Sequence, residues 1–124
     1  MKMIIIFNHS LNEEQRVAAQ SQFGVTEFIE LTPELKPVWG QVPAEPESIS
    51  NHIEPVVKWA LDQEPEVALV QGDFGATYEV VTRLKEKGVM VVYATTKRES
   101  VETTNPQGEV VKTSVFKHVR FREF

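Results

Sequence analysis

The chain has no cysteine. That excludes both a disulfide framework and a thiolate metal site. Histidine is scarce: His9, His52 and His118 are the only three, and they show no metal-ligand spacing. Carboxylates are scattered rather than clustered, so no cage for Mg²⁺ or Mn²⁺ is legible and no metal or cofactor is expected. Long apolar runs are missing as well. Met3–Phe7 is far too short for a signal peptide or a membrane span, which makes a cytoplasmic protein with no membrane partner the expectation. No internal repeat or low-complexity segment is visible.

Excess positive charge is also lacking. A net charge of −5 argues against a general binder of DNA or other nucleic acid. The charge is nevertheless uneven. Residues 1–96 carry 7 Lys/Arg and 14 Asp/Glu, a balance of −7, whereas residues 97–124 carry 6 and 4, a balance of +2. Either a solvated basic tail or a local anion-binding patch follows from this. With 41% apolar residues over 124 positions, one domain spanning 1–124 has enough material for its own core.

The informative stretch is Val67–Tyr78. Val67-Ala-Leu-Val70 is a short apolar run and reads as a buried strand. Gly72 and Gly75 offer two permissive backbone positions where the chain must reverse. Asp73 is a good N-cap, and Val80, Val81 and Leu84 recur at helical spacing behind it. A strand, a turn and a helix N-terminus together present free N–H groups and the positive end of a helix dipole, a general recipe for holding phosphate or carboxylate. The spacing is neither GxGxxG nor a Walker A loop, so this pattern alone names no ligand.

Other elements surround that stretch. Met3–Phe7 is a continuous apolar run, as expected of a strand covered on both faces. Asn12 with Gln15 forms a capping-box pattern, and Gly24 suits the residue after a helix ending near Phe23. Val25–Leu31 predicts a second strand. Thr32–Pro46 holds four prolines and predicts an ordered loop without regular structure, with Trp39 packing under it. A second helix enters near Ser48 with the stripe Ile49, Ile53, Val56, Val57, Ala60 and Leu61, and Pro55 should kink or split it. His52 beside that stripe reads as structural. Val89–Ala94 predicts a fourth strand, followed by a loop, Thr95-Thr-Lys-Arg98. Asn105-Pro-Gln-Gly108 fits a type I turn joining Ser100–Thr104 to Glu109–Arg122 in a β-hairpin. In its second arm, strict alternation puts Phe116, His118, Arg120 and Arg122 on one face, opposite Val115, Lys117, Val119 and Phe121.

Strand–helix units in this order predict an α/β, Rossmann-like fold: a mainly parallel sheet with helices on both faces, plus the C-terminal hairpin. The doubly wound order two-one-three-four puts a switch point between strands one and three, where ligands bind beyond the carboxyl ends. Three loops would converge there: Asn8-His9-Ser10, Gln71-Gly72-Asp73-Phe74-Gly75 and Thr95-Thr96-Lys97-Arg98. Bland roles compete at each position. The alternatives are a helix cap alone for Asp73, a backbone partner for Gln71, a turn residue for Ser10, and edge-strand charges for Arg120 and Arg122.

Four stretches, Phe7-Asn-His-Ser-Leu-Asn12, Gln71-Gly-Asp-Phe-Gly-Ala-Thr-Tyr78, Tyr93-Ala-Thr-Thr-Lys-Arg98 and Phe116-Lys-His-Val-Arg-Phe-Arg122, resemble a small CRISPR-associated accessory family of type III systems, the twentieth of the Csx series. The likeness runs along essentially the whole chain. It implies a CARF-like domain acting as a ring nuclease on cyclic oligoadenylates, chiefly cyclic tetra-adenylate. The family pattern often begins with a Ser-His pair after the first strand, whereas this chain reads Asn8-His9-Ser10. Chemistry of this kind lets a ribose 2′-OH attack its own phosphate, which asks for positioning and charge stabilisation but no metal. Asp73, His9, His118 and Arg120 are the candidates for catalysis. Asn8, Ser10, Gln71, Gly72, Phe74, Gly75, Thr95, Thr96, Lys97 and Arg98 are the candidates for ligand binding. A nucleotide ring also suits a cleft between two identical subunits, so a homodimer is expected. A non-cleaving sensor or sponge, and a protein-interaction module, are the competing readings.

Overall fold

A computed structural model describes all residues from 1 to 124. Five strands form one sheet in the order β2-β1-β3-β4-β5. The first four, β1 (Lys2–Ile6), β2 (Glu27–Glu30), β3 (Val67–Val70) and β4 (Met90–Thr104), run parallel, and β5 (Val110–Glu123) returns antiparallel to β4. The α/β class and the doubly wound order expected from the alternation of elements are what the chain adopts.

Burial follows the pleat. Ile4, Ile6, Ala68 and Val70 enter a core shared with α3 (Ser50–Asp62) and α4 (Phe74–Glu86), while Met3, Ile5, Val67 and Leu69 enter a second core under α1 (Glu13–Phe23). Strands one and three are therefore apolar at every one of these positions because each face has its own helices. Full burial of a Val, Leu or Ile is worth about 1.5–3 kcal/mol, so these short strands anchor the molecule.

Local chemistry sets the helix ends. Asn12 accepts from the Gln15 N–H at 2.8 Å and Gln15 Oε1 accepts from the Asn12 N–H at 3.0 Å, a complete capping box. Gly24 closes α1 in the left-handed region at φ 74°. The proline-rich segment departs from expectation: Leu35–Gly40 forms a short helix, α2. Pro37 lies in its first turn, where N–H groups have no intrahelical acceptor, so the proline breaks nothing. Nor does Pro55 split α3, which runs unbroken from Ser50 to Asp62. Pro55 and Asn51 are both exposed, so the Asn51 carbonyl that loses its donor stays open to water.

The largest departure is β4. Thr95-Thr-Lys-Arg98 is not a loop; the strand continues through it to Thr104, paired with β5 residue by residue up to Val110. Threonines and valines suit an extended backbone, and the tight turn at Asn105–Gly108 supplies a partner strand along the whole length. In that turn Gly108 N–H donates to Asn105 O at 2.9 Å, with Gly108 at φ 81°. A β-bulge at Thr95/Thr96 then breaks the alternation expected in β5, since Thr95 pairs with Arg120 and Thr96 with His118, leaving Val119 over. His118 stacks on Phe121 at 4.6 Å, in the core under α1, whereas the Arg122 guanidinium lies 5.6 Å over the Tyr93 ring. The expected row of His118, Arg120 and Arg122 is thereby divided.

Candidate functional site

A cleft of about 390 Å³ opens at the carboxyl ends of β1 and β3, at the switch point of the sheet. Phe7, Asn8 and His9 form one wall as the chain leaves β1. Gln71, Gly72 and Asp73 form the opposite wall after β3, and Trp39, Gly40 and Val42 close the back. The first two loops thus meet as the order of elements predicted.

Each wall has a local cause. The Trp39 indole, 2% exposed, donates its Nε1–H to the Gln71 carbonyl at 2.9 Å and lies flat against Gly72. A Cβ at Gly72 would stand 2.7 Å from Trp39 Nε1. Gly72 is therefore needed for close approach. It does not supply conformational freedom, because neither Gly72 nor Gly75 has positive φ. The Gln71 side chain reaches across to β4, where Oε1 accepts from the Ala94 N–H at 3.1 Å. Asn8 ties the first loop to α2: oriented by its hydrogen-bond network, its amide nitrogen donates to Lys36 O at 3.1 Å and its oxygen accepts from Gly40 N–H at 3.2 Å. His52 Nε2 lies 2.7 Å from Val38 O, the structural role expected of it, and steadies the same short helix.

Asp73 caps α4. Its Oδ2 accepts from the Ala76 N–H at 3.0 Å and its backbone carbonyl from the Thr77 N–H at 2.8 Å. The N–H groups of Phe74 and Gly75 are left without an acceptor in the chain, at the positive end of a 13-residue helix. His9 is exposed on the facing wall, edge-on to Phe7 at 4.9 Å.

The remaining predicted residues lie elsewhere. Ser10 turns away, its hydroxyl donating to Glu30 Oε1 at 3.0 Å. Phe74 and Gly75 follow Asp73 in the chain but line none of the cleft; Phe74, 95% exposed, borders the groove beside it. Thr95, Thr96, Lys97 and Arg98 line none of the cleft because they belong to the extended β4 strand. There, Thr95 Oγ1 donates to Arg120 O at 2.7 Å and Arg98 Nε donates to Ser114 Oγ at 3.1 Å. His118 and Arg120 sit on β5, outside the cleft. Burial pushes the His118 imidazole below the usual histidine range, with Glu14 opposing weakly, and neither ring nitrogen has a partner. Sequence reasoning missed Phe7, Gly40 and Val42 as walls; only Gly40, beside Trp39, carried any signal.

The chain belongs to the family described as Uncharacterized protein MJ1673. The match covers residues 1–122, so it takes in the cleft and the whole β4–β5 hairpin. A relative from Methanocaldococcus jannaschii, Uncharacterized protein MJ1673, is 34% identical over 125 residues, spanning 99% of this chain and 96% of that one.

Two further properties of this MJ1673-family chain bear on chemistry. No Lys or Arg lines the cleft, whose charged or titratable walls are His9 and Asp73 alone. Lys36 borders a separate depression behind Asn8 and Gly40. Beside the cleft, on the α4 face, an apolar groove of about 630 Å³ runs between Val70, Tyr78, Val81, Tyr93 and Phe124. It shares Gln71 and Gly72 with the cleft. No helix is long and apolar enough to cross a membrane.

Proposed function

We propose that the cleft binds and cleaves a cyclic oligoadenylate, chiefly cyclic tetra-adenylate, so that the protein acts in the cytoplasm as a ring nuclease of type III CRISPR immunity. The observation that carries this reading is the juxtaposition at the switch point. The free N–H groups of Phe74 and Gly75 stand at a helix N-terminus, with Asp73 beside them and His9 on the opposite wall. Backbone N–H groups at a helix start are donors for a phosphodiester oxygen. The resemblance of the loops that build this cleft to the CRISPR accessory family points the same way.

The reaction follows from those groups. A ribose 2′-oxygen attacks its adjacent phosphorus, the P–O5′ bond breaks, and a 2′,3′-cyclic phosphate end forms. The 2′-OH proton passes to Asp73 or His9, and the departing 5′-oxygen takes up a proton. Asp73 Oδ2 is engaged by Ala76, which leaves Oδ1 to accept from the 2′-OH. A positioned proton-transfer group adds about 10²–10⁴-fold. The N–H groups stabilise charge gathering on the non-bridging oxygens.

Incubation with cyclic tetra-adenylate in excess EDTA, followed by chromatography, tests the reading: linear products ending in 2′,3′-cyclic phosphate are expected. Asp73→Asn keeps the cap, because Asn is about as good an N-cap as Asp, but it removes the base. That variant is expected to melt like wild type, bind the ring, and cut at least about tenfold more slowly. A wild-type rate would make Asp73 a cap only. Binding without product would leave the second reading, a sensor or sponge, which the absence of a cation in the cleft favours.

A further inference from the structure

The β4–β5 hairpin leaves the body of the protein beyond Thr95, and from Thr96 to Lys117 every residue but Asn105 is exposed. β5 is the outermost strand of the sheet, so one of its two edges has no neighbouring strand. The turn sets the phase of that edge. Asn105 N–H donates to the Glu109 carbonyl at 2.9 Å, and the register pairs Thr104 with Val110 and Thr103 with Val111. Backbone groups alternate in an antiparallel pair, so the odd-numbered residues from Glu109 to Lys117 bond inward to β4. Val110, Lys112, Ser114 and Phe116 turn their N–H and C=O outward. At the body the same edge is closed: Gln22 Nε2 donates to the Phe121 carbonyl at 2.7 Å, and Gln22 Oε1 accepts from the Phe121 N–H at 3.0 Å. No side chain does this between Val110 and Phe116. A long open edge of this kind is a template for another strand.

We infer that a second copy of this chain fills the open edge, β5 pairing antiparallel with β5 about a two-fold axis at Thr113. The strand's own sequence decides both the partner and the axis. With Thr113 facing the partner's Thr113, Val111 faces the partner's Val115, and Val110 faces the partner's Phe116. Lys112 then faces the partner's Ser114, and Glu109 faces the partner's Lys117. Apolar residues meet apolar ones, and opposite charges close both ends. Moving the axis by one residue destroys the match: Glu109 then faces Val115 or Val119, and Val111 faces Thr113 or Lys117. The hydrogen-bond phase agrees as well, because Val110 and Phe116 both point their backbone groups outward, as do Lys112 and Ser114. Every outward N–H and C=O from Val110 to Phe116 thereby gains a partner, as a two-fold contact of one surface with itself requires.

Packing and charge on the hairpin point the same way. Val101, Val111 and Val115 share one face, and the pairing gathers both copies' sets around the two threonines. On the opposite face Val110 and Phe116, 65% and 68% exposed, cover each other across the two copies. A lone two-stranded ribbon is marginal in water, whereas three or more strands with an apolar face hold together. Lysines on an edge strand commonly repel such additions. Here Lys112 already meets Glu102 of its own hairpin at 3.6 Å, and Lys117 has no carboxylate until the partner's Glu109 arrives. No wall of the cleft takes part, so the pairing stands apart from the function proposed above.

Because the chain has no cysteine, single cysteines report the register. Facing residues of a non-hydrogen-bonded pair lie about 4.5 Å apart at Cα, within reach of a disulfide. Thr113→Cys is therefore expected to cross-link to its own copy under mild oxidation, while Gln107→Cys in the exposed turn stays uncross-linked. Glu109→Cys and Lys117→Cys, purified separately and then mixed, are expected to give the mixed cross-link and neither same-variant one. The unsubstituted protein is expected to sediment as a dimer at micromolar concentration. Lys117→Glu and Glu109→Lys are each expected to shift it to monomer with an unchanged far-UV circular dichroism spectrum, and the two together to restore the dimer. A monomeric unsubstituted protein, equal cross-linking through Gln107→Cys, or single charge variants that dimerise as the unsubstituted protein does would overturn the pairing.

Discussion

At the scale of single residues, Gly72 does more for the cleft than its freedom as a glycine suggests. Its missing side chain is the space that Trp39 fills, and the indole N–H then holds the Gln71 carbonyl. An added methyl meets a rigid ring 2.7 Å away. Gly72→Ala is therefore expected to lower stability by about 1–3 kcal/mol, the usual cost of overpacking. Denaturant unfolding checks it: a wild-type midpoint would mean that the indole moves aside freely. Residue roles that depend on neighbours three or four positions away were legible in sequence. Asn12 with Gln15 and Asp73 with Ala76 are the examples. The Gly72–Trp39 contact was not legible, because nothing local marks two residues so far apart in the chain as touching.

At the scale of elements, the β5 bulge decides the role of His118. Strict alternation would have aligned its imidazole with Arg120 and Arg122; the extra residue at Val119 turns it onto Phe121. Burial then disfavours the charged ring, which has no partner at either nitrogen. The folded pKa lies below the unfolded value of about 6.5, so the unfolded chain takes up the proton first and stability falls as pH drops below that value. His118→Phe keeps a ring against Phe121 and removes the titration. Its melting temperature is expected to vary less between about pH 7 and pH 5 than that of wild type. Parallel curves would mean that the imidazole titrates normally. The prolines follow the same rule: the place of Pro37 in the first turn of α2 and the exposure of Pro55 on α3 decide their cost, and neither is marked by residue identity.

At the scale of the whole molecule, an acidic body carries a near-neutral arm and a cleft with no cation of its own. For the phosphate binding proposed above, positive charge would have to come from beyond the cleft walls, with Arg120 one candidate. Arg120→Ala is expected to weaken binding of cyclic tetra-adenylate at low salt. The two proteins should converge near 1 M salt, where the screening length is about 3 Å. Equal affinities at low salt would make Arg120 an ordinary surface charge.

The sequence by itself determined the α/β class, the parallel order of four strands and the meeting of the Asn8 and Asp73 loops. These follow from apolar periods, caps and right-handed crossovers, all of them local or nearly so. Tertiary structure alone decided the rest. Pairing with β5 turned an expected loop into half of an extended arm, a bulge moved His118 to the other side, and Trp39 claimed the space at Gly72. Each depends on a partner distant in the chain, and a partner's position exists only once the sheet has formed.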